Sequence, residues 1–586
     1  MRVALAQINP TSADLPGNTK RIVDAIAAAA DQRADLVVLP ELSLPGYYIG
    51  DLVEDEDFLA ANERALQEIA AAARGISAII GFIDVDAARV NDHGTVRKYN
   101  AAALVRDGRI LHRAHKSLLP SYRYFDDKRF FSPGEARQAV PVAPASALKV
   151  GMSICEDLWD ENYDVKPVAE LAAQGAGIIV NINASPFSVG KRRTRERLIK
   201  AHIAEIRLPV VYVNTVGAAD NGKNIIPFDG ESLAYDASGR LVAIGRQFDE
   251  DLVVVDLETR PSNLQPPTSS LEPAASSLPA DEPEPEMYAA LVMALRDYMR
   301  KVGFERAVVA VSGGIDSALA LAIAVDALGP DRVAAFNLPS KHNTETTKSI
   351  AKRLCEALGV RYTVVPIQQI DDEIRGVFER HAHPMRHALT RENLHARIRG
   401  IVMMAESNDT GALLISCGNE TEIALGYATL YGDMCGGISL IGDLSKSDVY
   451  ALARYVNWKH GREMIPAETF TITPSAELAE GQFDPFDYAV VSPIVGEFVE
   501  RRTSPAALVR QFEQHALDPS RFRADAQGRT PYDKYTGEAF RAIVYDCFRR
   551  MRRSVYKRLQ GPPIVVVSER AFGFDLRETI INEWEG

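Results

Sequence analysis

Residues 307–322 read AVVAVSGGIDSALALA, and this stretch decides the fold of the second half of the chain. AVVAVS is a short apolar run typical of a buried strand, the two glycines predict a turn, and the Ala/Leu/Ile pattern through Leu328 predicts a helix. A second strand-like run, RVAAFNLP, follows the helix. Strand, helix and strand in this order predict a doubly wound, Rossmann-like parallel sheet with crossover helices.

The glycine loop inside this stretch has the composition of an anion-binding site. Two glycines and two serines stand between strand and helix, so backbone amides and hydroxyls can surround phosphate groups at a helix N-terminus. The loop lacks the GxxxxGK[ST] spacing of a Walker A motif. Asp316 is a natural Mg²⁺ ligand here, although a helix N-cap is an equally good interpretation of a lone aspartate.

The first half of the chain also alternates strand and helix patterns. RVALAQI and ADLVVLPE are strand-like runs. Between them, apolar residues at helical spacing are Val23, Ile26, Ala27 and Ala30. We therefore predict an α/β fold for this half as well.

A proline-rich stretch separates the two halves. After Arg260 the sequence runs PSNLQPPTSSLEPAASSLPADEPEPE, which offers few large apolar residues for a core and predicts a linker. The predicted organisation is a first domain over 1–258, a linker over 259–286 and a second domain over 287–586.

Three residues of the first half supply the groups that amide hydrolysis requires: a nucleophile, a proton acceptor and a positive charge facing the oxyanion. Glu41 follows DLVVLP, Lys116 follows GRILHRAH and Cys155 follows LKVGMSI. We expect each to end a half-buried, alternating strand, where the sites of α/β sheets collect. Individually, a buried cysteine is more often a small core residue, and single charges are more often solvated.

The sequence segments around these three residues form a recognisable set of motifs. LPELSLPGY, HKSLLPSYRYFDDKRFF and GMSICEDLW together resemble the three signature segments of the nitrilase superfamily. The resemblance implies an αββα sandwich in which Cys155 is the nucleophile, Glu41 the general base and Lys116 the group that stabilises the tetrahedral intermediate, with help from the Glu156 backbone amide. A lysine beside the thiol is expected to lower its pKa.

The same resemblance implies a glutamine pocket. Its expected members are Tyr47, Tyr122, Phe125, Glu156, Ser185 and Lys191. One departure from the amidotransferase pattern is VGAADNGKNIIPFDG, which has extra residues between Asp220 and Phe228. We interpret these as a surface loop insertion, because the three catalytic segments are intact.

The second half resembles two nested families. SGGIDS is similar to the pyrophosphate loop SGGxDS of the ATP pyrophosphatases, which implies cleavage of ATP to AMP and diphosphate through an adenylate. ENLHARIRG, CGNETEIALGYATLYGDMCGG, PSAEL and YKRLQGPPIVVVSERAFGFDLR resemble the NAD synthetase domain in order. The implied ATP-binding residues are Ser312, Gly313, Gly314, Ile315, Asp316, Ser317 and Cys417. The implied deamido-NAD residues are Asn393, Glu422, Asp433, Lys446 and Lys557, with Asp316 and Glu422 as Mg²⁺ ligands.

Together the two halves resemble the glutamine-dependent NAD(+) synthetases. The implied reaction converts ATP, deamido-NAD(+), L-glutamine and water to AMP, diphosphate, NAD(+) and L-glutamate through a cysteine thioester, ammonia transfer and adenylated deamido-NAD. ATP is the co-substrate and Mg²⁺ the cofactor. One alternative is a glutamine-fed ATP pyrophosphatase ligase for another carboxylate. A nucleotide sensor on an inactive amidohydrolase ranks last, because none of Cys155, Glu41 and Lys116 is lost.

Three details of the second half carry separate expectations. One helix is predicted to have an apolar face formed by Leu394, Ile398, Ile401 and Ala405. Asn393, Arg397 and Arg399 are then available for polar contacts. His381, His383 and His387 lack flanking cysteines and are read as a solvated loop rather than a metal site. Glu420 stands where the family commonly has lysine.

Bulk composition limits the partners. A net charge of −13 and a pI near 5.5 argue against a basic face for nucleic acid. We see neither an export signal nor an apolar run of membrane-spanning length. Five scattered cysteines without a CxxC pair favour a reducing cytoplasm. Family resemblance implies a homo-oligomer, a dimer or larger.

Overall fold

The computed structural model describes residues 1–91, 94–257, 283–473, 484–525, 527–581 and 583–584. Contacts divide the chain into unit 1, Met1–Asn221 with Ile226–Glu282, and unit 2, Gly222–Ile225 with Pro283–Gly586. The linker predicted over 259–286 lies outside the described residues except for its last four, which begin a helix at Pro283. None of the helices in the described residues combines the length and apolar composition that a bilayer span requires.

Unit 1 contains most of the β-structure. Its strands are β1 (Arg2–Gln7), β2 (Leu36–Val38), β3 (Ser77–Val90), β4 (Val96–Arg106), β5 (Arg109–His115), β6 (Val140–Pro141), β7 (Lys149–Ile154), β8 (Ile178–Asn183), β9 (Val210–Asn214), β10 (Val216–Asp220), β11 (Asn224–Asp229), β12 (Leu233–Tyr235), β13 (Leu241–Ile244) and β14 (Asp251–Asp256). Its α-helices are α1 (Leu15–Asp31), α2 (Glu56–Ala72), α3 (Asp127–Phe130), α4 (Pro167–Ala173) and α5 (Lys191–Ile206).

Two sheets face each other in unit 1. One has the order β14-β1-β2-β3-β4-β5 and the other β13-β12-β9-β8-β7-β6. Apolar side chains of β1, β7 and β8 meet in the core between the sheets. Helices α1 and α2 cover the outer face of the first sheet, and α4 and α5 cover the second. The predicted αββα sandwich is therefore confirmed.

This layering corrects one expectation about the strands. All three residues of β2 and the last five of β7 are buried, so these strands do not alternate between buried and exposed positions. A strand between a second sheet and a helix layer has an apolar neighbour on both faces. Helix α1 forms as predicted, but it buries Ile22, Ile26 and Ala29, and it exposes Ala27 and Ala30.

Unit 2 contains most of the helices. Its strands are β15 (Ala307–Ala310), β16 (Val333–Asn337), β17 (Arg361–Val364), β18 (Leu413–Ser416), β19 (Ile438–Ser439) and β20 (Ile564–Val565). Its α-helices are α6 (Pro283–Val302), α7 (Ile315–Leu328), α8 (Glu345–Leu358), α9 (Gln368–Arg380), α10 (Ala388–Thr410), α11 (Glu420–Leu425), α12 (Lys446–His460), α13 (Tyr488–Val499), α14 (Pro505–Glu513), α15 (Pro531–Lys534), α16 (Gly537–Arg553) and α17 (Val555–Arg558).

The strands of unit 2 form a doubly wound parallel sheet, as predicted. The order is β20-β19-β18-β15-β16-β17, with every neighbouring pair parallel. Asn224 and Ile225, which cluster with this unit, pair with Ile564 and Val565 at the β20 edge. The chain order reverses between β15 and β18, and such switch points form crevices at the carboxyl ends of the strands.

Helix α10 packs with a different face from the one predicted. Ile398 and Met403 are buried against β15 and β18, whereas Ile401 is 65% exposed and Ala405 is also exposed. The prediction for Ile401 and Ala405 was therefore wrong. Further along the chain, residues 505–545 contribute α14, α15 and part of α16 to a separate apolar cluster. The PSAEL segment lies outside the described residues.

Candidate active sites

Cys155 stands at the sharp end of β7. The strand stops at Ile154, and a short 3₁₀ helix begins at Cys155 itself. The φ angle of Cys155 is 44°, in the left-handed region that non-glycine residues rarely adopt. Such strain persists where the surroundings enforce it, and it often marks a functional residue.

The Glu41 carboxylate connects several elements of the first site. Its Oε1 accepts hydrogen bonds from Lys116 Nζ and Asn100 Nδ2, both at 2.7 Å. Its Oε2 accepts the Ala184 backbone N–H at 2.8 Å. Glu41 and Lys116 are each 1% exposed. A buried ion pair with this many hydrogen bonds has a well-defined geometry.

Asp127 is a member of this site that sequence analysis did not assign. Its Oδ2 accepts a hydrogen bond from Lys116 Nζ at 2.7 Å, and its Oδ1 accepts one from the Tyr47 hydroxyl at 3.4 Å. The Lys116 ammonium therefore lies between two buried carboxylates. The signal was available in FDDKRFF, where an acidic pair follows Phe125 in a segment already singled out.

The resting thiol differs from the expectation. Burial raises the pKa of Cys155 well above its usual value, and the Glu41 carboxylate raises it further, while Lys116 lowers it. Lys116 thus acts in the expected direction, but the net direction is upward, so the expected net lowering of the pKa is wrong. Burial also opposes the charge on Lys116, but Asp127 and Glu41 hold the pKa of its ammonium well above normal.

The expected glutamine residues surround this centre in two groups. In the first, Glu156 accepts hydrogen bonds from the Tyr122 hydroxyl and from the Tyr163 hydroxyl, each at 2.9 Å. Phe125 stands edge-on to Tyr122 with ring centroids 5.6 Å apart. Burial raises the pKa of both Tyr122 and Tyr47 above normal, and nearby charges, that of Cys155 among them, raise it further. Tyr163 was not predicted.

The second group lies around Ser185 and Lys191. The Ser185 backbone N–H donates to Asn214 Oδ1 at 2.9 Å, and its carbonyl accepts from Arg195 at 3.1 Å. Lys191 Nζ lies 5.1 Å from the centre of the Trp159 ring. Burial, with Arg195 next in weight, lowers the pKa of Lys191 to about 8. The Lys191 ammonium is therefore poorly solvated, and the charge of Cys155 is among the smaller influences on its pKa.

The second site begins at the glycine loop of unit 2. Gly313 has a φ of 95°, and a Cβ at this position would lie 2.4 Å from the Thr347 carbonyl oxygen. The Gly314 N–H donates to Ser312 Oγ at 3.1 Å, and the Ser317 hydroxyl donates to the Gly314 carbonyl at 3.1 Å. The N-cap of α7 is Gly314, so Asp316 lies inside the first turn and the N-cap interpretation is wrong.

A cavity of about 290 Å³ opens at the carboxyl ends of β15 and β18. The cavity is lined by every residue of the predicted loop and by four other predicted residues, namely Cys417, Glu422, Asp433 and Lys446. It occupies the switch point at which ligands of such sheets bind. The cavity wall also includes Arg399, which was predicted to be available for polar contacts, and Asp484, which was not predicted.

Opposite charges converge inside this cavity. Lys446 Nζ lies 2.5 Å from Asp316 Oδ2 and 3.3 Å from Glu422 Oε1. Asn419 Nδ2 donates to Asp316 Oδ1 at 2.8 Å. Burial, followed by the Asp316 charge, raises the pKa of Glu422 to about 8. The two carboxylates thus share one position at which a cation is held.

Three remaining predicted or noted positions do not line the cavity. Asn393 Oδ1 accepts a hydrogen bond from the Thr429 hydroxyl at 2.8 Å. Lys557 Nζ donates to the carbonyls of Gly426 and Ala428 at 2.9 and 2.8 Å. Glu420 is buried on α11, and burial raises its pKa well above normal.

His381 and His383 lie at the start of the loop between α9 and α10, and His387 lies at its end. Across the described residues, the structure contains no group of three or more His, Cys, Asp or Glu side chains suited to hold a metal ion. The acidic pair Asp316 and Glu422 therefore remains the candidate position for a cation in unit 2.

Family models match both units. Residues 2–260 match the carbon–nitrogen hydrolases, and residues 287–520 match NAD synthase. The strand-end Cys155 with its buried Glu41 and Lys116 fits the first class, and the glycine loop at the switch point fits the second. Fold and sites together define a carbon–nitrogen hydrolase joined to an NAD synthase.

Full-length relatives identify the family. The chain is 36% identical to the glutamine-dependent NAD(+) synthetase of Thermotoga maritima, covering 100% of this chain and 99% of the relative. It is 34% identical to that of Synechocystis sp., covering 99% and 98%. The structure of the Acinetobacter baumannii enzyme with adenosine diphosphate is 30% identical, with a TM-score of 0.71 over 99% of this chain and 98% of that one. The chain belongs to the glutamine-dependent NAD(+) synthetases.

Proposed function

We propose that unit 1 hydrolyses L-glutamine at Cys155 and that unit 2 uses the ammonia to amidate adenylated deamido-NAD(+). The overall reaction converts ATP, deamido-NAD(+), L-glutamine and water to AMP, diphosphate, NAD(+) and L-glutamate. The chain is thus an ATP-dependent ligase that forms a C–N bond. The observation that carries the proposal is the Lys116 ammonium, which lies 2.7 Å from both Glu41 and Asp127. Asp157 connects the backbone beside Lys116 to the backbone beside Cys155.

The first reaction needs a base because the thiol is protonated at rest. Cys155 Sγ attacks the side-chain amide of glutamine while its proton moves to Glu41. Lys116 stabilises the negative charge that develops on the carbonyl oxygen. Glu41 returns the proton to the departing ammonia and then accepts one from the water that hydrolyses the thioester. It passes this second proton to the Cys155 thiolate that leaves with the release of glutamate, which restores the thiol and the carboxylate.

Recognition of glutamine requires partners for its α-carboxylate and for its α-ammonium group. The half-buried Lys191 ammonium suits a carboxylate, and Glu156 with its two tyrosine donors suits an ammonium group. Tyr47, Tyr122 and Phe125 would enclose the aliphatic part, and Ser185 would offer further polar contact. A site built this way would discriminate glutamine from simple amides.

The second reaction uses the glycine loop. Backbone amides at the start of α7 would hold the ATP phosphates, while Cys417 lines the same cavity. Asp316 and Glu422 would hold Mg²⁺, and oxygen donors that already share one cation position suit this hard ion. When bound, Mg²⁺ would neutralise charge on the phosphates. Lys446, released from that pair, would remain beside the reacting groups.

The deamido-NAD(+) residues are supported unequally. Asp433 and Lys446 line the nucleotide cavity. Asn393 is connected to it through Thr429, whose backbone N–H donates to Asp433 Oδ1 at 2.5 Å. Lys557 holds the carbonyls that follow α11, so its role toward the dinucleotide would be to shape that loop. We retain all five as substrate-site residues.

Two wider proposals concern assembly and location. We infer a homo-oligomer, supported by family resemblance and by large exposed apolar side chains such as Ile401 and Tyr431, which are 65% and 67% exposed. We infer a cytoplasmic location, which the five free cysteines support. Sedimentation would decide the first and cell fractionation the second.

The division of labour is tested with two nitrogen sources. Purified protein receives deamido-NAD(+), ATP, Mg²⁺ and either glutamine or ammonium, and NAD(+), AMP and diphosphate are measured. Cys155→Ala should abolish synthesis from glutamine but leave synthesis from ammonium within about twofold of wild type, because no bond to nitrogen is then made or broken at residue 155.

The matched control is Cys355→Ala. Cys355 is also a buried cysteine, in α8 of unit 2, and its removal should leave both reactions unchanged. Equal loss of both reactions in Cys155→Ala would contradict the proposal.

A further inference from the structure

Asp157, two residues after Cys155, accepts three backbone N–H groups. Its Oδ1 accepts those of Ser117 and Leu118 at 2.9 and 2.8 Å. Its Oδ2 accepts that of Ile154 at 3.0 Å. The side chain is 2% exposed. Burial raises the pKa of Asp157 to about 7, while the three backbone N–H groups favour its charged form. Hydrogen bonds to a charged carboxylate that is shielded from water are among the stronger directional contacts in a protein.

The three donors flank the two reacting groups. Ser117 and Leu118 directly follow Lys116, and Ile154 directly precedes Cys155. Lys116 extends β5 of the first sheet, whereas Cys155 extends β7 of the second. Asp157 therefore connects the chain segment of the ammonium to the chain segment of the thiol.

Apart from a few polar links, such as that from the Ala184 N–H to Glu41 Oε2, the sheet-to-sheet contact is mostly apolar. Side chains of β1, β7 and β8 fill the space between the sheets. Apolar burial stabilises the pair but is non-directional, so it sets the spacing of two strand ends less sharply than hydrogen bonds do. A mechanism in which an ammonium must meet an oxyanion formed at a thiol depends on that spacing.

The backbone at Cys155 adds a second reason for a clamp. A φ of 44° is unfavourable for cysteine, and the neighbouring structure has to hold it. The bond from Ile154 N–H to Asp157 closes the turn on both sides of residue 155. Loss of this bond would let the turn relax toward an ordinary conformation and carry the sulfur away.

We propose that Asp157 is a positioning residue that fixes the Cys155 thiol relative to the Lys116 ammonium. This inference rests on the roles proposed for those two residues. Asp157 itself touches neither glutamine nor the reacting atoms. Its contribution should appear in the rate of the chemical step rather than in the binding of glutamine.

Asp157→Asn tests the proposal with little change of shape. In either orientation of the amide, its NH₂ group faces at least one backbone N–H, so one end of the clamp is lost. We expect kcat for glutamine hydrolysis to fall about 100-fold, the scale of a 1 Å misplacement, with KM within about twofold. NAD(+) synthesis from ammonium should be unchanged.

Alkylation of Cys155 by iodoacetamide distinguishes positioning from simple support of the fold. A thiol displaced from Lys116 loses the charge that favours its thiolate, so alkylation of the Cys155 peptide should slow. A loosened unit 1 would instead expose the buried thiol and speed it. Asp14→Ala is the control for loosening, because Asp14 caps α1 through the Gly17 N–H at 3.0 Å, away from the site.

Three results would overturn the inference: a kcat within threefold of wild type, faster alkylation in both Asp157→Asn and Asp14→Ala, or a rise in KM without loss of kcat. If Asp157→Asn does not accumulate as folded protein, Asp157→Glu carries the test, because it keeps both acceptors but displaces them. Glutamine hydrolysis that survives in Cys155→Ala would refute the proposed function itself, which separates the two failures.

Discussion

Lys191, the proposed partner of the glutamine carboxylate, changes its charge close to neutral pH. Burial, helped by Arg195, lowers its pKa to about 8. Below that pH the ammonium is present and can pair with the glutamine carboxylate. Above it the neutral amine cannot. We therefore predict that KM for glutamine rises about tenfold per pH unit above pH 8, while KM for ammonium as nitrogen source does not follow this change.

Lys191→Arg provides the control for that prediction. Arginine stays charged across the whole range, so its KM for glutamine should be flat from pH 7 to about pH 9.5 apart from titration of glutamine itself, which both proteins share. The difference between the two profiles reports Lys191. A wild-type profile that is parallel to that of Lys191→Arg would show that the ammonium does not bind glutamine.

At the scale of residues, the sequence predicted three members of the first site and missed a fourth. Glu41, Lys116 and Cys155 could be selected because nucleophile, base and cation each follow a strand. Asp127 could not be selected, because its importance depends on its distance to Lys116 Nζ, which no local pattern encodes. The pKa of Cys155 was misjudged for a related reason: a neighbouring lysine can be inferred from sequence, but the extent of burial cannot.

At the scale of elements, the glycine loop between β15 and α7 has no room for a side chain at Gly313. A Cβ there would meet the Thr347 carbonyl oxygen at 2.4 Å in a backbone with φ of 95°. We predict that Gly313→Ala lowers the free energy of unfolding of unit 2 by about 1–2 kcal/mol from backbone strain and weakens ATP binding as the loop shifts. Calorimetric titration with ATP would measure the second effect.

Gly303→Ala separates the two effects. Gly303 also has a positive φ, 83°, but nothing lies within 4 Å of a Cβ placed there. It should show the strain alone and bind ATP normally. If Gly313→Ala bound ATP as tightly as Gly303→Ala, the loop would not be the phosphate site.

Elements were predicted better than their faces. The bounds of α7 and the strands on either side of it could be predicted from the positions of glycines and from apolar runs, which are local signals. The buried face of α10 was misassigned, because Ile401 and Ala405 continue an apolar spacing that the packing against β15 and β18 does not use. The layers around β2 and β7 likewise arise from the second sheet, not from their own sequences.

For the whole molecule, the two sites should differ in their dependence on metal. The positive group proposed for glutamine hydrolysis is Lys116, whereas Asp316 and Glu422 are the proposed Mg²⁺ ligands. Removal of Mg²⁺ with EDTA should reduce NAD(+) formation from both glutamine and ammonium to background. Glutamine hydrolysis measured without ATP should persist at its original rate. Loss of hydrolysis that Mg²⁺ restores would contradict this assignment.

The architecture could be predicted because each half carries its own signals. The strand, turn and helix patterns around the glycine loop indicated the parallel sheet. The three segments that contain Glu41, Lys116 and Cys155 indicated the αββα sandwich. Other features depend on the folded chain. Asn224, in the insertion after Asp220, has its side chain in hydrogen bonds with the backbone of residues 572–575 of unit 2, and no sequence pattern relates these positions.

The central claim is that Cys155 attacks the amide of glutamine, and covalent labelling tests it directly. A diazoketone analogue of glutamine alkylates the residue that performs this attack, and peptide mass spectrometry locates the adduct. The account predicts one adduct per chain, on Cys155, with loss of glutamine-driven but not ammonium-driven NAD(+) synthesis. An adduct on another residue, or glutamine hydrolysis that continues after full labelling of Cys155, would contradict it.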